Sequence, residues 1–226
     1  MTEPSASTEV TPDDLRAVDG RVPGRRGRAT RQRLLECTAD LLRVGTYRDV
    51  KVIDIARDAG TSPATFYQYF SDVETAILAL AEEMALDGAR LSALVRDRPW
   101  RGRKGYETAV ALVDETFDFW DQHRHVLRVV DLATDEGDQR FRQIRTRLLH
   151  EVTLALADVI GRAQDEGRQP GGIDPMATAG TLVSMLAHVA AHLYGFEFWG
   201  IRTRDLRQSM ARQLYWGTTG QKPPST

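Results

Sequence analysis

Apolar residues recur at three- and four-residue intervals along most of the chain, which is the spacing of one face of an α-helix. The first such stripe runs from Leu34 to Leu42 and stops at Gly45. Further stripes predict helices over residues 52–59, 63–70, 72–96, 105–122, 124–134, 138–166, 174–199 and 204–216. No segment shows a convincing strand pattern, so the sequence predicts an all-α fold.

Two turn signals stand close together near residue 60. Gly60 suits the position after a helix end, Ser62 suits an N-cap, and Pro63 suits the first helical turn. Two short helices joined by a tight glycine-containing turn form the helix-turn-helix pattern. A second start, Ser71 to Glu74, fits a capping box for the following long helix.

Four aromatic residues in residues 66–70 give this region a superficial strand pattern. The helix signals at Ser62 and Ser71 exclude a strand here. Phe66 and Phe70 are four residues apart, so they share one helical face and are predicted to point into a small core. Tyr67 and Tyr69 are predicted to lie outside that core.

Charge is ordinary in total but uneven along the chain. The 226 residues carry a net charge of −2. Residues 21–60, however, hold ten lysines and arginines against five acids, and residues 1–20 hold one arginine against five acids. A local basic block of this kind is either an electrostatic footprint for DNA or a solvated surface.

The single cysteine, Cys37, excludes an internal disulfide and lies on an apolar helical stripe, where we expect it to serve core packing. No apolar run approaches the roughly 20 residues of a membrane span. The acidic N-terminus lacks the apolar segment of a signal peptide. We therefore expect a cytoplasmic protein without a membrane partner.

The stretch I-D-I-A-R-D-A-G-T-S-P-A-T-F-Y-Q-Y-F-S-D-V-E-T-A-I-L resembles the DNA-binding region of TetR-type transcriptional regulators. The resemblance covers about residues 28–80, and its T-F-Y-x-Y-F ending is specific. The remainder is similar only in its series of helices. The resemblance implies a homodimeric regulator that binds double-stranded operator DNA and a small-molecule effector.

The predicted recognition helix is thin and polar on the side that would enter a major groove. Its phosphate-contacting positions, carried over from the resemblance, are Thr61, Ser62, Tyr67 and Tyr69. The positions near bases are Ala64, Thr65 and Gln68. Gln68 is the sharpest candidate for specificity because its amide pairs bidentately with adenine, although a glutamine on a helix surface is often only solvated.

Two positions depart from the family pattern. Val73 stands where a phosphate-binding lysine is common, and Lys51 stands where serine or threonine often caps the second helix. Arg25, Arg26 and Arg28 form a basic N-terminal arm that either supplies the missing charge through phosphate or minor-groove contacts or is a mobile solubilising segment.

The C-terminal helices are predicted to form an effector and dimerisation domain. Helices over 174–216 are rich in leucine, methionine, alanine and aromatic residues, which fits either a homodimer interface or internal packing. An apolar effector pocket with a few polar groups is predicted from helically spaced residues: Tyr106, Phe117, Trp120, His123, Phe141, Met185 and His188. Each aromatic residue taken singly is better explained as core, and the pocket is predicted from the set as a whole.

The predicted organisation is an acidic disordered tail (1–24), a helix-turn-helix domain with its basic arm (25–71), a helical effector and dimerisation domain (72–217) and a second tail (218–226). The predicted function is a TetR-like repressor released from a palindromic operator by a small apolar effector. No cofactor, bound metal or enzymatic activity is expected, because common catalytic and phosphate-binding motifs are absent from the sequence. The alternatives are a metal-responsive regulator using His188 and His192, an all-helical enzyme and a non-specific DNA-packaging protein.

Overall fold

The computed structural model describes residues 24–224, and its regular secondary structure within that range is entirely helical. Ten α-helices follow in order: α1 (Arg25–Val44), α2 (Val52–Asp58), α3 (Pro63–Tyr69), α4 (Val73–Asp87), α5 (Ala89–Asp97), α6 (Gly102–Asp135), α7 (Gln139–Asp165), α8 (Pro175–Ala191), α9 (Leu193–Phe198) and α10 (Thr203–Thr219). The predicted all-α fold class is confirmed. Apart from Gly24, the N-terminal tail predicted over residues 1–24 lies outside the described residues, as do residues 225 and 226.

The chain divides into two compact units between Leu80 and Ala81, inside α4. The first unit has one apolar core, built from Leu34, Leu35, Ile55, Ala59, Phe66, Phe70 and Ala76. Because Ala76 belongs to that core and Leu80 packs against it, the first two turns of α4 are part of the small unit. The division therefore falls later in the chain than the boundary predicted between residues 71 and 72.

The segment predicted as a basic arm is the first turn of α1. Arg25 begins the helix, and the backbone N–H of Arg28 donates to the carbonyl of Gly24 over 2.9 Å. A glycine inside a helix costs about 1 kcal/mol relative to alanine, and α1 includes Gly27 in this first turn despite that cost. The arm interpretation was wrong about backbone conformation, and the arginines lie on a helix end.

The cap of α4 is Asp72 and not the predicted Ser71. The Asp72 carboxylate accepts from the backbone N–H of Thr75 over 2.7 Å, while the Ser71 hydroxyl bonds to the side chains of Asp72 and Thr75. A charged acceptor makes the stronger bond to a helix N-terminus. Glu74, predicted to close the capping box, instead accepts a 2.7 Å hydrogen bond from the Tyr47 hydroxyl.

The second unit contains one long helix where the sequence predicted two. Helix α6 continues through His123 without interruption, and its 34 residues span about 50 Å. The sequence between residues 115 and 130 holds no glycine or proline, so nothing local ends the helix there. The predicted break at this point was wrong.

Two other predicted helices are each divided. The helix predicted to run to residue 96 is interrupted at Gly88, where the N–H of Leu91 donates to the Gly88 carbonyl over 3.0 Å. The helix predicted over 174–199 is interrupted at His192, whose Nδ1 bonds to the His188 carbonyl at 2.9 Å and so engages the last turn of α8.

Helix α7 lies within one residue of its prediction at each end, and Asp138 caps it by accepting from the backbone N–H of Arg140 over 2.8 Å. Hydrogen bonds from the Arg140 side chain hold the pKa of the Asp138 carboxyl at about 2, below its usual 3.8. The carboxylate form of this cap is therefore favoured by folding.

Helix α10 runs three residues beyond its predicted end. Thr218 and Thr219, which the sequence analysis placed in a tail, are buried parts of this helix. The chain beyond it is held at Gln221, which accepts a 2.7 Å hydrogen bond from the Tyr215 hydroxyl. Small polar residues carry little helical signal, which explains why the sequence missed this turn.

Candidate nucleic-acid interface and effector site

The turn between α2 and α3 has the geometry of a Schellman motif. The N–H of Thr61 donates to the carbonyl of Ala56 over 2.8 Å, and the N–H of Gly60 donates to that of Arg57 over 3.0 Å. Gly60 takes a φ of 65°, a left-handed conformation that costs other residues about 1–2 kcal/mol. The predicted role of Gly60 at the helix end is confirmed.

The start of α3 is fixed by its own side chains. Ser62 is the N-cap and accepts from the N–H of Thr65 over 3.2 Å, and Pro63 occupies the first turn. The hydroxyls of Ser62 and Thr65 also lie within hydrogen-bond distance, at 3.1 Å. Both predicted DNA-contacting hydroxyls are thus held at the helix start by local bonds.

The faces of α3 divide as the residue spacing predicts. Phe66 and Phe70 are 0% and 1% exposed, and their ring centroids are 5.5 Å apart in the core of the small unit. On the outer side, Tyr67 is 51% exposed, and Ala64 and Gln68 are exposed beside it. The buried rings therefore hold the helix by one face and leave a polar face in solvent.

Three of the predicted contact residues are only partly exposed. Thr61 and Thr65 are half-buried, and Tyr69 packs against the apolar core of the small unit. The ring of Tyr69 therefore contributes to the stability of the small unit, independently of any contact that its hydroxyl makes.

The exposed face of α3 carries no charged residue, so positive charge near it comes from other elements. Lys51 precedes α2 and is exposed, with no side-chain bond to the helix it caps. The exposed Arg57 lies 3.0 Å from Asp54 and 3.1 Å from Asp58, so acids offset its charge.

The first turn of α1 carries the exposed Arg25, Arg26 and Arg28 and no acid. The backbone N–H groups at this helix start add the positive end of the helix dipole. Val73, where a lysine is common in the resembling family, packs against the core of the small unit, which gives this departure a structural role.

Cys37 is half-buried and also packs against this core. Burial and neighbouring acids raise the pKa of its thiol. This agrees with the predicted packing role.

The predicted effector residues are distributed over three of the helices. Phe117, Trp120 and Phe141 are buried in the second unit, and Met185 is half-buried on α8. Tyr106 is half-buried and meets the ring of Tyr215 edge-on at 5.9 Å.

His188 differs from the other predicted effector residues because it is exposed. Its ring stacks on that of His192 at 4.2 Å. Within residues 24–224, no three histidine, cysteine, aspartate or glutamate side chains come together in a way that would hold a metal ion.

His123 belongs to a polar cluster among the aromatic residues of α6. Its Nε2 lies 2.8 Å from the Asp87 carboxylate, and its ring lies 4.7 Å from that of Phe119. Arg90 lies over the Phe119 ring and pairs both with Asp87, at 3.1 Å, and with Glu115, whose carboxylate is 2.6 Å from the arginine Nε. The Arg90 Nε is buried and makes no aligned hydrogen bond despite the nearby Glu115 carboxylate, whereas His123 and Asp87 bond to each other.

Trp120 and Arg145 each hold a buried N–H group without a hydrogen-bond partner. These groups are the indole Nε1 of Trp120 and the Nη1 of Arg145. Leaving a buried donor unsatisfied costs about 1–3 kcal/mol. The Arg145 guanidinium carbon lies 5.7 Å from the centre of the Trp120 ring, and its Nε donates to Asp131 over 2.8 Å.

The sequence analysis did not single out Arg145. A usable signal was its position opposite Asp131 across the turn at Gly137, where α6 and α7 pack against each other. Asp131 lies six residues before Gly137 and Arg145 eight residues after it, and oppositely charged residues about two helical turns from a hairpin turn are expected to meet.

The helix-turn-helix geometry and the all-helical second unit together define a transcriptional regulator of the helix-turn-helix class. The family described as "Tetracyclin repressor-like, C-terminal domain" matches residues 91–225. The chain therefore belongs to this family, the TetR family of transcriptional regulators, as the resemblance of residues 28–80 implied. Members of the family and the relatives found are regulators and not enzymes.

A curated relative is the uncharacterised HTH-type transcriptional regulator YvdT of Bacillus subtilis (strain 168). It is 24% identical over 172 residues, which cover 74% of this chain and 84% of YvdT.

Solved structures of similar fold include GusR of Salmonella enterica, with a TM-score of 0.62 at 18% identity over 85% of this chain and 96% of that one. FadR of Bacillus subtilis, solved in complex with stearoyl-CoA, has a TM-score of 0.62 at 16% identity over 82% and 98%. At these identities the likeness shows the fold alone. Among the helices of residues 24–224, none is long and apolar enough to cross a membrane.

Proposed function

We propose that this protein is a homodimeric repressor that binds a palindromic operator through α3 and is released by a small, largely apolar effector. The observation that carries the DNA-binding part is the neutral polar face of α3, fixed from behind by the buried rings of Phe66 and Phe70. A helix held in this way presents the same side chains to each groove it enters. On this face, Gln68 and Thr65 reach base edges, and Ala64 contacts a thymine methyl.

Phosphate contacts position the helix under this proposal. The residues assigned to phosphates are Thr61 and Ser62 just before α3, Tyr67 within it and Tyr69 at its last position. Lys51 and the arginines of the first turn of α1 supply the charge that α3 lacks. Affinity from these contacts is independent of sequence and falls with salt.

Exposed apolar side chains at the C-terminal end of the chain support the homodimer. Phe198 is 88% exposed, Trp199 70% and Trp216 64%, and Tyr194 and Ile201 are also exposed. Such a concentration of large apolar side chains on α9, α10 and their connection is unfavourable in water and typical of a protein interface. A second copy of the chain covers it in the proposal and sets the distance between the two α3 helices.

The dimer has a direct test in analytical ultracentrifugation of Trp199→Glu. We expect this variant to shift the protein from dimer to monomer, because a charge in an apolar interface is left unpaired. Leu86→Glu is the control, since Leu86 is also exposed, at 54%, but lies on α4. A Trp199 variant that stays dimeric would remove this surface from the interface.

The effector part of the proposal is supported by the aromatic residues Phe117, Trp120 and Phe141 inside the second unit. FadR of Bacillus subtilis, which shares the fold, was solved with stearoyl-CoA, a ligand with a long apolar chain. An effector releases the operator only in proportion to its preference for the state that does not bind DNA.

Selection of binding sites from genomic DNA with the purified protein tests the operator. We expect a palindromic motif whose half-sites are separated by about one helical turn. Gln68→Ala is expected to lose the preference at one base position in each half-site, whereas Gln143→Ala, an exposed glutamine on α7, leaves the motif unchanged. A motif identical for the parent and Gln68→Ala would refute base reading by this residue.

A further inference from the structure

Two neighbouring buried N–H groups in the second unit have no acceptor among the described residues. Trp120 is 4% exposed, and its indole N–H has no partner. Trp100 shows the usual arrangement, since its indole N–H donates to the carbonyl of Val95 over 2.9 Å. A buried donor without a partner requires an explanation, of which a ligand is one.

The second donor lies beside the first. Arg145 places its guanidinium 5.7 Å from the Trp120 ring centre, and its buried Nη1 has no partner. Its Nε is held by Asp131 at 2.8 Å, which fixes the orientation of the guanidinium and leaves Nη1 for another acceptor. The Asp131 side chain is 41% exposed, so solvent screens much of its charge.

A second arginine packed on the same long helix shows that stacking alone does not create this situation. Arg207 lies over the ring of Phe117 at 4.5 Å and pairs with Asp114 at 2.9 Å. It has the same combination of an aromatic ring, a guanidinium and a carboxylate, and within residues 24–224 no nitrogen of Arg207 is both buried and unsatisfied. Of these two stacked pairs, the unsatisfied donors belong to Trp120 and Arg145.

Arg90, which lies over the Phe119 ring, also has a buried Nε without an aligned hydrogen bond. A carboxylate oxygen of Glu115 already stands 2.6 Å from that nitrogen, so no ligand is needed to explain it.

We propose that the Trp120 indole and the Arg145 guanidinium bind a carboxylate on the effector, so that the effector is an amphiphilic acid. Tryptophan and arginine side chains donate only, so the ligand must supply the acceptors. A carboxylate offers two acceptor oxygens and forms charge-assisted bonds with arginine, while the Phe119 ring, 5.4 Å from that of Trp120, provides apolar contact. This inference rests on the proposed effector-responsive function and deepens it.

The test is binding of matched acids and alcohols to the full chain, followed by proton–nitrogen NMR of the indole groups. The probes are octanoate with octanol and naphthoate with naphthalenemethanol. The chain has four tryptophans, so the Trp120 signal is assigned by its loss in Trp120→Phe, and the Trp100 signal is an internal control.

We expect an acid to shift the Trp120 indole proton downfield and to bind at least about tenfold more tightly than its alcohol, the ratio that corresponds to one charge-assisted hydrogen bond. Arg145→Met keeps the aliphatic stem and removes the donors, and is expected to abolish the preference for the acid. Arg207→Met, the matched control, is expected to keep it. Thermal melting of both variants confirms that they are folded.

Equal affinity for acid and alcohol, or a preference that survives in Arg145→Met, would overturn the inference. So would a Trp120 signal that no acid perturbs, the result expected if a buried water satisfies the two donors. Operator binding is measured separately by fluorescence anisotropy. An acid that binds at Trp120 without releasing DNA supports the carboxylate site and contradicts the effector role in the proposed function.

Discussion

Gly105 is the position where a single added methyl group should have a large effect on the stability of the second unit. It lies in the first turn of α6, buried against the backbone of Trp100. An ideal Cβ at Gly105 would stand 2.4 Å from the Trp100 carbonyl carbon and 2.9 Å from its oxygen. Backbone atoms cannot move away by a change of rotamer. Trp100 is also held by the hydrogen bond from its indole N–H to the Val95 carbonyl, and the preceding Pro99 carbonyl accepts from the Thr108 hydroxyl over 2.8 Å.

The magnitude for Gly105→Ala follows from two opposing terms. Alanine improves helix propensity by up to about 1 kcal/mol, while overpacking against rigid atoms costs about 1–3 kcal/mol. Because the atoms that would be overlapped are backbone atoms within 3.0 Å, we expect a cost in the upper part of that range, and therefore a net loss of about 1–2 kcal/mol in the free energy of unfolding. For a chain of this size that lowers the melting temperature by about 2–8 °C.

The assay is thermal unfolding followed by circular dichroism at one fixed protein concentration, because the proposed dimerisation would make the midpoint concentration-dependent. Gly161→Ala is the matched control, since Gly161 lies inside α7 and nothing lies within 4 Å of its ideal Cβ. That variant is expected to melt about 2–4 °C higher, by propensity alone. A Gly105→Ala protein that melts at or above the parent would refute the close approach of Trp100.

Three further predictions concern DNA binding and pH. Tyr67→Phe is expected to weaken operator binding about 2- to 10-fold by removing one phosphate hydrogen bond; its selected motif should match that of the parent, and unchanged affinity would exclude the contact. A triple variant with alanine at Arg25, Arg26 and Arg28 is expected to show a shallower slope of log affinity against log salt concentration. The reduction should be about 0.9 for each phosphate that these arginines neutralise in the parent. An equal slope would exclude these residues from phosphate contact. Asp138→Asn is expected to lower the melting temperature at neutral pH. The difference from the parent should disappear as pH falls from 3.8 to about 2, because the Asp138 carboxylate, whose pKa is depressed, stabilises the fold only while it is ionised. A difference that persists below that range would point to a non-electrostatic role.

The small unit was predictable because its signals are local. Ser62 and Pro63 begin α3, Gly60 ends the preceding turn, and the spacing of Phe66 and Phe70 determines which face is buried. Each of these features involves residues a few positions apart, so the sequence alone carries the physics.

The second unit was less predictable because its features depend on distant residues. The helix predicted over 174–199 is interrupted at His192, whose ring bonds to the carbonyl of His188. No apolar pattern in the sequence reveals this interruption. The approach of Arg145 to Trp120 joins two long helices, and neither residue carries a local sign of the other. Periodicity predicted which faces are apolar, and long-range packing decided which polar groups were left without partners.

The neutral face of α3 has a consequence for how recognition by such a protein changes. The positions proposed to face bases and the positive charge lie on different helices, since α3 holds no charged residue and the arginines belong to the start of α1. Substitutions at Gln68 would then exchange one operator for another while leaving general attraction to nucleic acid intact. Substitutions at the start of α1 would raise or lower that attraction without rewriting the operator. Paralogues could diverge along either axis independently, by few steps and without passing through a form unable to bind.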